Sequence, residues 1–71
     1  MKIGLAIKVG RVAMGLTTLE LSEKSGVSTP TIARLENGGN PKLNTINKLF
    51  KALDKVTFLE VGSQLVVTIN E

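Results

Sequence analysis

The sequence predicts a mainly α domain of four short helices followed by a β-hairpin or single strand. Two observations carry this. Stretches with apolar residues at helical spacing are separated by breakers at Gly15, Gly26 and Gly38-Gly39-Asn40-Pro41. The last seventeen residues then switch to β-branched runs on either side of Gly62-Ser63. At 71 residues the chain has room for one domain only. Its helical part is expected over 1–54, with a β extension of the same domain over 55–71.

The elements follow in order. Residues 2–14 place Ile3, Ile7, Val9, Gly10 and Met14 at helix spacing, with Lys2, Lys8 and Arg11 between them. Gly15 is the expected stop. Gly4 and Gly10 inside this helix each cost about 1 kcal/mol against Ala, so it needs tertiary support. Thr17-Thr18-Leu19-Glu20 has the pattern of a capping box, which starts a second helix over 18–25, ended by Ser25-Gly26. Ser28 or Thr29 caps the third helix, and Pro30 falls in its first turn, where no intrahelical N–H is required. Ile32 and Leu35 turn inward, and Asn37-Gly38 ends the helix with a left-handed residue. Leu43 to Leu53 forms the fourth helix, with Leu43, Ile46, Leu49, Phe50 and Leu53 on one stripe. Gly62-Ser63 predicts a type II′ hairpin turn that pairs Val61 with Gln64, Leu59 with Val66, and Thr57 with Thr68.

Composition narrows the chemistry. The chain has no His and no Cys, its six acids are scattered, and no phosphate-binding glycine loop or EF-hand spacing occurs. An enzyme, a metal site and a bound cofactor are therefore not expected. Apolar runs fall well short of the ~20 residues of a membrane span. The N-terminus lacks the pattern of a signal peptide, so the expected location is the cytoplasm. The net charge of +3 and a pI near 9.6 suit a nucleic-acid partner without requiring one.

A helix, a tight turn at Gly26-Val27-Ser28 and a second short helix make a helix-turn-helix. A short helix held by its neighbours projects its N-terminal half, which suits entry into a major groove. The residues around it carry a resemblance: Ile3-Gly4, Ile7, Arg11, G-L-T at 15–17, E-L-S-E-K-S-G-V-S at 20–28, T-I-A-R-L-E-N-G at 31–38, and N-P-K-L-N-T-I at 40–46. In these the chain resembles the lambdoid repressor (Cro/cI, or XRE) helix-turn-helix family, over residues 3–53.

The resemblance implies a lambda-repressor-like fold that binds double-stranded DNA. It implies contacts from Thr17, Thr18, Ser28, Thr29, Pro30, Thr31, Arg34, Asn37 and Lys42, and a structural ion pair of Arg11 with Glu36. Two departures stand out. Thr18 occupies a position where the family often has a Gln, and Thr29-Pro30 replaces a polar pair. Pro30 offers only apolar contact, so Arg34 is the one side chain equipped to read guanine through two hydrogen bonds, and shape readout is expected to contribute. Lys48, Lys51 and Lys55 are read as a solvated face.

The tail resembles that of small Cro-type repressors and of antitoxins of the HipB type, whose C-terminal strands dimerise. Val56, Phe58, Leu65, Val67 and Ile69 are the expected dimer contacts. The expected function is a homodimeric repressor acting on a near-palindromic operator, of the antitoxin kind that represses its own operon and binds a toxin. The alternatives are a phage repressor, a restriction–modification controller, or an interaction module that no longer binds DNA. Leu5, Val9 and Val12 lie at i, i+4, i+7 on the first helix, where the family usually carries charge. They are covered by the hairpin or form a partner surface.

Overall fold

The computed structural model describes residues 2–70, so Met1 and Glu71 lie outside the described residues. The elements are α1 (Ile3–Ala13), α2 (Thr18–Ser25), α3 (Thr29–Glu36), α4 (Leu43–Ala52), β1 (Val56–Val61) and β2 (Gln64–Ile69). The two strands pair antiparallel in the expected register, with Val61 opposite Gln64, Leu59 opposite Val66 and Thr57 opposite Thr68. Gly62 has φ of 61° and no other residue type among those described has positive φ. A positive φ at the first central position only is what a type II′ turn requires.

Local chemistry sets the helix ends. At α1, the Gly15 N–H donates to the Val12 carbonyl (2.9 Å) and the Leu16 N–H to the Arg11 carbonyl (3.0 Å). This is a Schellman end, and Gly15 supplies the left-handed residue at φ 71°. At α3 the same motif recurs, with Gly38 at φ 98° donating to Leu35 (3.0 Å) and Gly39 to Arg34 (2.9 Å).

One core joins the helices and the hairpin. Ile7, Leu21, Ile32, Leu49 and Leu53 are fully buried, and Val27, Leu35, Ala52 and Val56 complete the cluster. Val27 matters here because it anchors the turn between α2 and α3. Phe50 and Phe58 stack with ring centroids 4.6 Å apart, which fixes the hairpin against α4. Most of the hairpin's remaining packing is between β2 and α1.

The fold corrects three expectations. Val56 is buried in the chain's own core, and Phe58 and Val67 are half-buried against it. They share one strand face with Leu65 and Ile69; Val56, Phe58 and Val67 belong to the core and not to a free surface, while Leu65 is half-buried and Ile69, at the end of β2, stays exposed. Leu43 is 73% exposed. The buried face of α4 is centred on Leu49, Ala52 and Leu53, and Leu43 sits in the first turn, on the flank and beyond the end of that core. Val9, one of the apolar positions at helix spacing on α1, is exposed with Leu5 and Val12.

Candidate nucleic-acid interface

α3 is eight residues, about 12 Å long, and is held from one side only. Ile32 and Leu35 anchor it in the core. Its N-cap is Ser28, whose Oγ accepts from the Thr31 N–H at 3.4 Å and lies 2.9 Å from the Thr31 hydroxyl. Pro30 occupies the second helical position, where its missing N–H costs nothing. With Ile32 and Leu35 inside, Pro30, Ala33, Arg34 and Asn37 form the outer ridge and are all exposed. Thr29 and Thr31 flank the ridge and are half-buried.

The α3 C-terminus is tied to α1 and α2 by one guanidinium. Arg11 Nε donates to Glu36 Oε2 at 2.8 Å and Nη2 to Oε1 at 3.0 Å, a two-point pair. Nη1 donates to the Leu16 carbonyl at 2.9 Å. The side chains are only 13% and 8% exposed. The hydrogen bond to Glu36 holds the Arg11 pKa above its usual value, against the opposing effect of burial and with the help of the carboxylate's charge. Leu16 directly precedes Thr17, the N-cap of α2. This one side chain therefore sets where α2 begins relative to where α3 ends.

The two helix N-termini near this surface differ electrostatically. At α2 the capping box is complete: the Glu20 N–H donates to Thr17 Oγ1 (3.0 Å) and the Thr17 N–H donates to Glu20 Oε1 (2.9 Å). That bond from the Thr17 backbone, followed by the Thr17 side-chain bond, lowers the Glu20 pKa and keeps it ionised. A negative charge thus already answers the α2 N-terminus. At α4 there is no acid in the first turn, and the N-cap Lys42 makes no side-chain cap. The first-turn N–H groups of α4 remain free for an anion.

Two cations meet beside α3. Arg34 and Lys42, with Thr31, Asn40, Pro41 and Thr45, line a recess of about 200 Å³ between α3 and the start of α4. Gly39 makes this possible. An ideal Cβ there would lie 2.9 Å from both Arg34 Cγ and the Arg34 carbonyl oxygen, so only glycine lets the Arg34 stem lie across the loop. Two positive charges, two hydroxyls and open helix N–H groups are the equipment for a nucleic-acid backbone.

A helix-turn-helix family model matches residues 7–61 of the chain. The chain belongs to the XRE family of helix-turn-helix proteins. It carries a DNA-binding domain of the kind that regulates transcription. A search of the curated proteins gave no match. The ridge of α3 offers one guanidinium, one amide and two apolar side chains.

Of the residues singled out in the sequence, Arg34, Lys42 and Thr31 come together at the recess, while Pro30 and Asn37 share the outer ridge with Arg34. Thr17, Ser28 and Thr31 spend hydroxyl contacts on capping. Thr18 and Thr29 are half-buried. Asn40, Thr45 and Gly39 were not anticipated. The only sequence signal for them was the Gly-Gly-Asn-Pro-Lys run before an uncapped helix. Among the described residues no group of three His, Cys, Asp or Glu side chains is placed to hold a metal ion, and no helix is long and apolar enough to cross a membrane.

Proposed function

We propose that this XRE-family chain is a cytoplasmic homodimeric repressor of a near-palindromic operator, and that it serves as the antitoxin of the operon it represses. The observation that carries the DNA reading is the α3 ridge beside the Arg34–Lys42 recess. Arg34 reads a guanine edge in the major groove. Lys42 and the α4 N-terminus hold the adjoining phosphate. Thr17, Thr18, Ser28, Thr29, Thr31 and Asn37 contribute backbone contacts from the flanks, and Pro30 supplies an apolar contact.

The dimer reading rests on the outer face of the hairpin. Thr57, Leu59 and Val61 on β1 lie beside Gln64, Val66 and Thr68 on β2. Leu59, Val61 and Val66 are exposed, and the face carries no charge. An uncharged apolar face is self-complementary under a two-fold axis. A domain this small also buries only about 60% of its unfolded surface, so a second copy adds stability. The outer face replaces the inner one as the proposed contact; Ile69 pairs with Val56 and lies at the exposed end of the inner face. The double change Leu59→Lys with Val66→Lys is expected to give a monomer in sedimentation with helical content retained. A dimer that persists would place the interface elsewhere.

Binding-site selection from random DNA tests the function directly. A recovered near-palindrome with half-sites about 34–36 Å apart is the expected result. Arg34→Ala should lose about 1–3 kcal/mol of operator binding and relax preference at one base position. Lys42→Ala should weaken all sequences alike and reduce the log–log salt slope by about 0.9. Equal effects of the two changes would remove the base-reading role of Arg34. The second reading, an interaction module without DNA binding, is favoured by the apolar Pro30 and Ala33 on the ridge. Steep salt-dependent DNA binding would eliminate it.

A further inference from the structure

One apolar face of the molecule has no role in DNA contact. Leu5, Val9 and Val12 run along α1 and are 49%, 37% and 60% exposed. Spacing of i, i+4, i+7 marks a helix face made for burial. With Lys8 and Ala13 they line an open groove of about 400 Å³. The hairpin lies on another side of α1, since a Cβ on Gly10 would meet Phe58 Cζ at 3.0 Å and Val56 Cγ2 at 3.3 Å.

The direction of the groove follows from helix geometry. Gly4 and Arg11, seven residues apart, are the α1 positions that meet α3, through the Leu35 carbonyl and the Glu36 carboxylate. Leu5 and Val12 each come one residue later, so they are turned by about 100° from α3. DNA on α3 leaves this face open.

Charge chooses between occupants. Residues 2–13 contain Lys2, Lys8 and Arg11 and no acid. Lys8 stands on the groove wall. A second copy packed here would bring the two Lys8 side chains to one interface with no carboxylate on the helix to offset them, and like charges brought together at an interface are costly. The uncharged hairpin face has no such penalty. We propose that the α1 groove docks an amphipathic helix of a different protein, one whose apolar ridge is flanked by carboxylates, and that it does so with DNA still bound. The site rests on α1 alone; that the partner is the toxin rests on the antitoxin reading above.

Photo-crosslinking of the full chain tests this with a readout that does not depend on DNA binding. A benzophenone amino acid replaces Val9, the protein is expressed in its host and irradiated, and the cross-linked segment is sequenced by mass spectrometry. The expected result is an adduct to a helical segment with Asp or Glu beside its apolar positions. Lys8→Glu should lower the yield roughly tenfold, equivalent to about 1.4 kcal/mol, with Lys8→Gln between the two. The same probe at Leu19, exposed on α2, should not give that adduct. An adduct to a second copy, to a segment without acids, or none at all overturns the proposal, as does a yield indifferent to Lys8→Glu. Operator binding by Lys8→Glu should match the unaltered chain. Failure of the chain to bind DNA would sink the regulator reading and leave the crosslink standing; an acidic partner unrelated to a toxin would sink only the antitoxin reading.

Discussion

Gly4→Ala is expected to destabilise the chain by about 3 kcal/mol or more, close to unfolding it. In an exposed helix the same change would stabilise by about 1 kcal/mol. The sign reverses here because α1 and α3 meet backbone to backbone. An ideal Cβ at position 4 would run into the Leu35 carbonyl oxygen and lie 3.0 Å from its carbon. Neither atom can rotate away, so α1 must lift off α3, and the burial of Ile7 against Ile32 and Leu35 is disturbed with it. Overpacking in cores costs about 1–3 kcal/mol and sometimes more. A domain of this length has a total stability of only about 4–10 kcal/mol. Gly10→Ala is the control. Its Cβ would meet Phe58 and Val56 side chains at 3.0 and 3.3 Å, which can yield by a few tenths of an ångström. Urea unfolding of the two variants should therefore show a large fall in midpoint for the first and a small one for the second. Equal midpoints would mean that the α1–α3 crossing is looser than described.

Gly4 also marks the limit of what sequence could reveal. As a residue inside a helix it reads as a cost, because propensity is local and the reason for glycine lies 31 residues away in α3. Features closed within a few residues were legible. The Thr17–Glu20 capping box, the Ser28 cap, the glycine stops at 15 and 38 and the Gly62-Ser63 turn all depend on bonds between near neighbours. The hairpin register was legible for the same reason, since a two-residue turn fixes it. Its inward face was not. Alternation divides Val56, Phe58, Leu65 and Val67 from Leu59, Val61 and Val66, and both sets are apolar. Only the stacking of Phe58 on Phe50 decides between them. Leu43 fits the stripe of α4 by spacing, yet spacing does not say where the core ends. The Arg34–Lys42 recess was half legible: each cation could be suspected of meeting DNA, but their meeting depends on the Gly39 approach.

Arg11→Ala is the second large effect, with an expected loss of about 3–5 kcal/mol. The change leaves the Glu36 carboxylate, 8% exposed, without its two N–H donors, and an uncompensated buried charge accounts for most of a loss of this size. The Leu16 carbonyl loses a donor as well. Removing both charges separates stability from function. Arg11→Met with Glu36→Leu restores apolar packing in place of the pair, and such replacements are often neutral or stabilising. The double variant should therefore unfold near the midpoint of the unaltered chain. It should still bind the operator more weakly, because nothing then fixes Leu16, and with it the Thr17 end of α2, against the end of α3. Stability recovered with operator affinity lost would assign the pair to positioning the two helices of the motif. Affinity recovered together with stability would mean that core packing alone sets their angle.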